Sequence, residues 1–99
     1  MKTLDAVMGE KEFMASVVEL ATVLGWRSYH THDSRRSAPG FPDCVFVRDG
    51  RLIFAELKSE RGRLTHPQRL WLAALRDCDG AAAYEWRPSS WSEIERVLR

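Results

Sequence analysis

GFPDCVFVRDGRLIFAELK, Gly40 to Lys58, is two apolar runs joined by Asp49-Gly50. Asp-Gly between two hydrophobic runs predicts a two-residue β-hairpin. With that turn Arg48 opposes Arg51, and counting outward pair by pair brings Asp43 opposite Glu56. Directly opposed side chains of an antiparallel pair stand roughly 4.5–5.5 Å apart at Cβ. Two carboxylates that close repel unless a cation lies between them. Lys58 is two residues past Glu56 and is expected on the same face. The hairpin therefore brings Asp, Glu and Lys to one patch, the set a hydrolytic magnesium site needs.

The runs are apolar on both faces, with Val45, Val47, Leu52 and Phe54 on one and Phe46, Ile53 and Ala55 on the other. Such strands are expected to be central and covered by helices on both sides. Upstream, residues 10–24 place Phe13, Met14, Val17, Leu20, Ala21 and Leu24 at helical spacing, and Gly25 is a natural stop. Residues 26–31 suit a first strand with Trp26, Ser28 and His30 on one face, and residues 32–42 read as a loop.

Downstream, residues 59–64 form a charged loop. Thr65 with Gln68 predicts a capping box that opens a helix through Trp71, Leu72 and Leu75, ended by Gly80. Residues 81–86 suit a strand, which Arg87-Pro88 breaks. Ser90 with Glu93 predicts a second capping box, opening a helix through Trp91, Ile94, Val97 and Leu98. The order is αβββαβ plus a final helix, a mixed α/β sheet flanked by helices, and residues 1–99 are expected to form one domain.

At 99 residues, 44% of them hydrophobic, the chain can build a single core. No run is long and apolar enough to span a bilayer, so no membrane partner is expected. The N-terminus lacks the hydrophobic region of a signal peptide, so the expected location is cytoplasmic. Cys44 and Cys78 have no metal-ligand spacing and are expected to be reduced, semi-buried thiols. A net charge of +1 argues against a globally basic nucleic-acid binder. The distribution says more: Arg27, Arg35 and Arg36 precede the acidic hairpin, and Lys58, Arg61, Arg63 and Arg69 follow it. Cations that hold a phosphate backbone around carboxylates that hold a metal are what a nuclease requires.

In the metal reading, Asp43 and Glu56 are oxygen ligands of Mg²⁺ and the backbone carbonyl of Leu57 adds a third. Lys58 orients the attacking water and stabilises developing charge. Glu10 extends the buried stripe of the first helix and is either a further ligand or a complement to the helix dipole. Gln68 is either the partner of Thr65 in the capping box or a residue of the site, and one side chain in one conformation is not expected to fill both roles. Arg35 and Arg36 are either solvated loop charges or phosphate contacts. His30 and His32 lack further ligands for zinc, so one of them is expected at phosphate or at the rim of the site. The four tryptophans read as core.

These residues carry a resemblance. Gly40-Phe41-Pro42-Asp43, then Glu56-Leu57-Lys58, then Gln68 on the following helix is similar to the PD-(D/E)xK nuclease superfamily, and within it to the VRR-NUC (virus-type replication-repair nuclease) group in its minimal stand-alone form. The likeness runs from Glu10 to the Trp86-Arg87-Pro88 segment. It implies a restriction-endonuclease-like fold and Mg²⁺- or Mn²⁺-dependent hydrolysis of DNA phosphodiesters. It also implies metal ligation by Glu10, Asp43, Glu56 and Leu57, catalytic roles for Asp43, Glu56, Lys58 and Gln68, and contacts from Arg35, Arg36, Arg61, Arg63 and His32 to nucleic acid. Stand-alone members resemble Holliday-junction resolvases, so branched DNA and a homodimer are expected. Apolar surface around Trp91, Ile94 and Leu98 is the expected dimer contact. The alternatives are a non-catalytic DNA-binding or recombination-accessory module of the same fold, and a nuclease for other DNA or for RNA.

Overall fold

A computed structural model describes residues 8–31 and 35–99. His32, an expected nucleic-acid contact, lies outside the described residues. The elements in chain order are α1 (Glu10–Val23), β1 (Arg27–His30), β2 (Cys44–Arg48), β3 (Arg51–Leu57), α2 (His66–Arg76), β4 (Ala81–Trp86), a short 3-10 turn (Pro88–Ser90) and α3 (Trp91–Leu98). This is the expected αβββαβ order with a final helix.

The four strands form one sheet in the order β1-β2-β3-β4. The pairs β1/β2 and β2/β3 are antiparallel, and β3/β4 is parallel, so α2 is the crossover between them. Asp49 and Gly50 both take positive φ, 49° and 79°, which matches the right-handed twist of the flanking strands. The register follows: Arg48 pairs with Arg51 and Cys44 with Ala55, so Asp43 and Glu56 are the next opposed pair. α1 closes through Gly25 at φ 89°, with the Gly25 N–H on the Thr22 carbonyl at 3.1 Å and the Trp26 N–H on Ala21 at 2.9 Å.

The core lies on one face of the sheet. Phe13, Val17 and Ala21 of α1, with Ile94 and Leu98 of α3, pack on Cys44, Phe46, Ile53, Ala55, Leu57 and Trp86. Among the described residues the other face is covered by α2, through Leu72 over β4, and by the loop before β2, whose Phe41 meets Phe54 of β3. Coverage of both faces therefore holds for only half the sheet. Tyr29 is 63% exposed and Val47 43%, because one crossover helix of eleven residues is narrower than four strands.

Other expectations need correction. α2 ends at Arg76, and Gly80 (φ 82°) belongs to the turn that leads into β4. The Ser90 hydroxyl makes no cap on α3. It accepts from the Arg87 N–H at 3.0 Å, because the 3-10 turn places it to face backward along the chain. Ile94 and Leu98 are fully buried in the chain's own core, so they offer no apolar surface to a partner, whereas Trp91 packs against that core and is half-buried. Cys44 is buried, whereas Cys78 is exposed in the turn beyond α2.

Candidate functional site

The open end of the β2–β3 hairpin gathers the predicted acidic residues. Opposed residues share a face, so Thr31, Asp43 and Glu56 lie in one row across the sheet, and the Thr31 N–H donates to the Asp43 carbonyl at 3.1 Å. Asp43 precedes β2 after Gly40-Phe41-Pro42, and its Oδ2 accepts the Leu57 N–H at 2.9 Å. That bond locks the Asp43 carboxylate across the strand end. Glu56 is 2% exposed, the one charged residue in the core of the described chain.

Burial raises the Asp43 carboxyl above the usual carboxylate range, against the Leu57 N–H that lowers it. Burial raises Glu56 further, to about 8, and the Asp43 charge adds to it. The two carboxyls are close enough to share a proton. Their contact lowers Asp43 and raises Glu56, and the pair holds the proton jointly. Lys58 lowers both, and Glu10 raises both. The same two carboxylates, after burial itself, push the Cys44 thiol up to about 12.

Gln68 reaches this pair from α2. Its Nε2 donates to Glu56 Oε2 at 2.9 Å while its Oε1 accepts the Thr65 N–H at 2.8 Å. The capping box is present as well, with Thr65 Oγ1 accepting the Gln68 N–H at 3.3 Å. Cap and site were expected to exclude each other. They do not, because an amide has two ends: the cap uses the oxygen, and the nitrogen is left pointing at Glu56. With both carboxylates ionised, Glu56 Oε1 is buried and has no hydrogen-bond donor.

Glu10 is exposed in the first turn of α1, and a Cβ on Gly62 would stand 3.5 Å from its Oε1 and 3.5 Å from Lys58 Cδ. Glu10 and Lys58 thus both border Gly62. Among the described residues no group of three or more His, Cys, Asp or Glu side chains is drawn close enough to hold an ion. The close side-chain oxygens are those of Asp43 and Glu56. A hard cation that retains several waters fits this set, because it would supply the partner that buried Glu56 Oε1 lacks. His30 pairs with Cys44, on the face away from the acidic row. Arg35, Arg36, Arg61 and Arg63 are all exposed.

Two residues outside the predicted set shape the site. Arg87 Nη1 donates to the carbonyls of Ser59 and Gly62, both at 2.6 Å, and its Nη2 pairs with Glu85 at 2.7 Å. It clamps the loop that follows Lys58. Gly40, at φ 92°, lies so close to α2 that a Cβ would meet Pro67 C at 2.4 Å and the Gln68 N at 2.7 Å. It keeps the loop before Asp43 against the helix that carries Gln68. The sequence signal for Arg87 is weak, an arginine after a strand. For Gly40 it is a glycine one residue before an apolar-proline pair.

A family model of the VRR-NUC domain matches residues 6–85. The matched span holds Glu10, Asp43, Glu56, Lys58 and Gln68, and stops short of Arg87. Comparison with curated proteins and with solved structures finds no match. With most of its length inside that match, the chain belongs to the VRR-NUC domain family, nucleases with a PD-(D/E)xK-like fold.

Proposed function

We propose that this nuclease is a Mg²⁺- or Mn²⁺-dependent DNA endonuclease selective for branched DNA such as a four-way junction, working as a homodimer. One observation carries the reading. Two opposed carboxyl groups at a strand end are held by the Leu57 N–H and the Gln68 amide, and the second Glu56 oxygen is buried with no hydrogen-bond partner once the pair has lost its shared proton. Asp43, Glu56 and the Leu57 carbonyl would hold the cation. When bound, the ion acts as a Lewis acid that makes water a nucleophile at neutral pH and neutralises charge on the phosphate oxygens.

Gln68 holds one oxygen of Glu56 through its Nε2. Lys58, on the face of the carboxylates, donates to the attacking water and stabilises the negative charge that develops on the phosphoryl oxygens. Arg35, Arg36, Arg61 and Arg63 flank this row and would contact the phosphate backbone. A single small domain has one site, whereas a four-way junction has two symmetry-related strands, so a two-fold dimer suits the substrate.

A gel assay with four-way junction, flap, plain duplex and RNA, each with and without Mg²⁺, tests the reading. Metal-dependent cuts in the junction are expected. Binding without cleavage would favour an accessory module, and preferred cleavage of RNA or plain duplex would remove the branched-DNA assignment. Sedimentation equilibrium at micromolar concentration tests the dimer. A monomer that cuts both strands in one encounter would refute it.

A further inference from the structure

Among the described residues the face of the sheet that carries Asp43 is covered by α2 and by Phe41 on Phe54, and beside them, along β1, lies a cleft of about 880 Å³. Tyr29 and Thr31 line it from β1, Asp43 from the hairpin, Gln68 and Trp71 from α2, and Arg35 from the loop between β1 and β2. Its size falls in the range of sites that enclose one small organic group. The cleft thus begins at the acidic row and runs along β1 to an aromatic ring.

That ring is 63% exposed. Tyr29 shares the Asp43 face, two residues before Thr31, which pairs with Asp43, so it lies roughly 6.8 Å along the strand from the row. The opposite wall is rigid. Trp71 is braced edge-on by Phe41 at 5.0 Å and 84°, and Phe41 in turn meets Phe54 at 5.9 Å and 87°. Thr31, Ser37 and Thr65 add hydroxyls between the aromatic walls. An exposed flat ring, a second aromatic wall, a cation and a few hydroxyls suit a nucleobase with its sugar and phosphate.

We infer that this cleft is a subsite for one unpaired nucleotide of the DNA strand being cut, with its base stacked on Tyr29. The inference rests on the nuclease reading above and deepens it. A base inside a duplex already has both faces stacked and offers none to Tyr29. The cleft therefore takes a nucleotide only where pairing is interrupted, as at a branch or flap. Tyr29 is then a specificity-determining residue, and selection for branched DNA arises within one protomer.

The test uses the whole protein in Ca²⁺ and a single-stranded oligodeoxynucleotide carrying 2-aminopurine, alone or annealed to its complement. Wild type should quench the fluorophore in the single strand and bind it in preference to the duplex. Tyr29→Ala should weaken single-strand binding about tenfold and abolish the quenching, while Tyr29→Phe should keep both. Tyr29 is exposed, so the melting temperature of Tyr29→Ala should match wild type and show that the fold is intact. Wild-type behaviour of Tyr29→Ala, or no quenching by wild type, would overturn the subsite. If wild type also cut a junction in Mg²⁺, the nuclease reading would survive that result. If it neither bound nor cut any DNA, both would fall.

Discussion

The β2–β3 hairpin sets like charges face to face at both ends, and the two ends resolve the conflict differently. At the tip, Arg48 opposes Arg51. Arg48 donates to the carbonyls of Leu24 at 2.8 Å, Leu98 at 3.1 Å and Arg99 at 2.7 Å, and Arg51 to Val97 at 2.7 Å. Both guanidiniums lie over the Trp26 ring, at 4.5 and 4.9 Å. Arg48 Nε has no hydrogen bond, but the Asp49 carboxylate is 3.7 Å away. These acceptors lie at the C-terminal ends of α1 and α3, where the helix dipole is negative. The tip thus meets its positive charge with negative partners on every side. The open end has one backbone N–H and one amide for two carboxyl groups, and when their shared proton leaves, one buried Glu56 oxygen has no donor. The like-charge pair at the tip, met by carbonyls, a carboxylate and an aromatic ring, is structural. The pair at the open end has fewer partners around it.

The largest expected effect separates the two ends by function. Lys58→Ala should lower cleavage about 10²–10³-fold, with little change in DNA affinity or melting temperature, since the lysine acts on charge that appears only during reaction. A matching loss of affinity would show that the open end binds rather than catalyses. The tip should respond the other way. Arg48→Ala leaves the carbonyls of Leu24, Leu98 and Arg99 without that donor and should cost about 2–4 kcal/mol of stability, read from urea unfolding, while the folded fraction keeps its activity. Equal stability would mean that water replaces the guanidinium without penalty.

A third prediction follows from the raised Glu56 carboxyl. Its folded value, about 8, exceeds the ordinary value of 4.5, so the native state holds the proton more tightly than the unfolded chain. That contribution is complete below pH 4.5 and is lost as pH rises toward 8. Metal-free protein should therefore lose stability across this window, by at most about 1.4 kcal/mol per pH unit. Glu56→Gln should flatten the decline, and Mg²⁺ should oppose it in wild type. A wild-type profile as flat as that of Glu56→Gln would place the shared proton elsewhere.

The smallest effect concerns a guanidinium that serves carbonyls at the acidic end. Arg87→Lys keeps the charge but cannot span the Ser59 and Gly62 carbonyls and Glu85 together. It should lower kcat about tenfold with KM nearly unchanged, because the loop after Lys58 loosens. Added guanidinium should restore part of the rate in Arg87→Gly. No rescue would limit Arg87 to packing.

The hairpin register is legible in the sequence because Asp49-Gly50 admits one pairing, and everything counted from it holds, including Asp43 opposite Glu56. The order of elements is legible because helical and strand periodicities differ. Gln68 is misread because its amide was treated as a single group. Ser90 is misread because the same Ser-x-x-Glu spacing suits a cap on α3 and a backward bond to Arg87, and only the 3-10 turn chooses. Trp91, Ile94 and Leu98 show a period of burial without showing what buries them, and here it is this chain's own α1 and sheet. The clamp of Arg87 joins residues 25 and 28 apart, beyond any local pattern.

The parallel step from β3 to β4 bears on the order in which the molecule assembles. Asp43 and the Leu57 N–H are 14 residues apart across a tight turn. Hairpins close in about 1–10 μs, whereas a parallel pair waits for its crossover helix to dock. The carboxylates therefore come together early, while the Gln68 amide and the Arg87 clamp arrive only as β4 joins the sheet. Pulsed hydrogen exchange during refolding should protect the Leu57 N–H before the Lys58 N–H, which is bonded to Trp86 across the parallel step. A chain still being folded then carries the acidic pair without the amide and the guanidinium that stand beside it in the finished sheet.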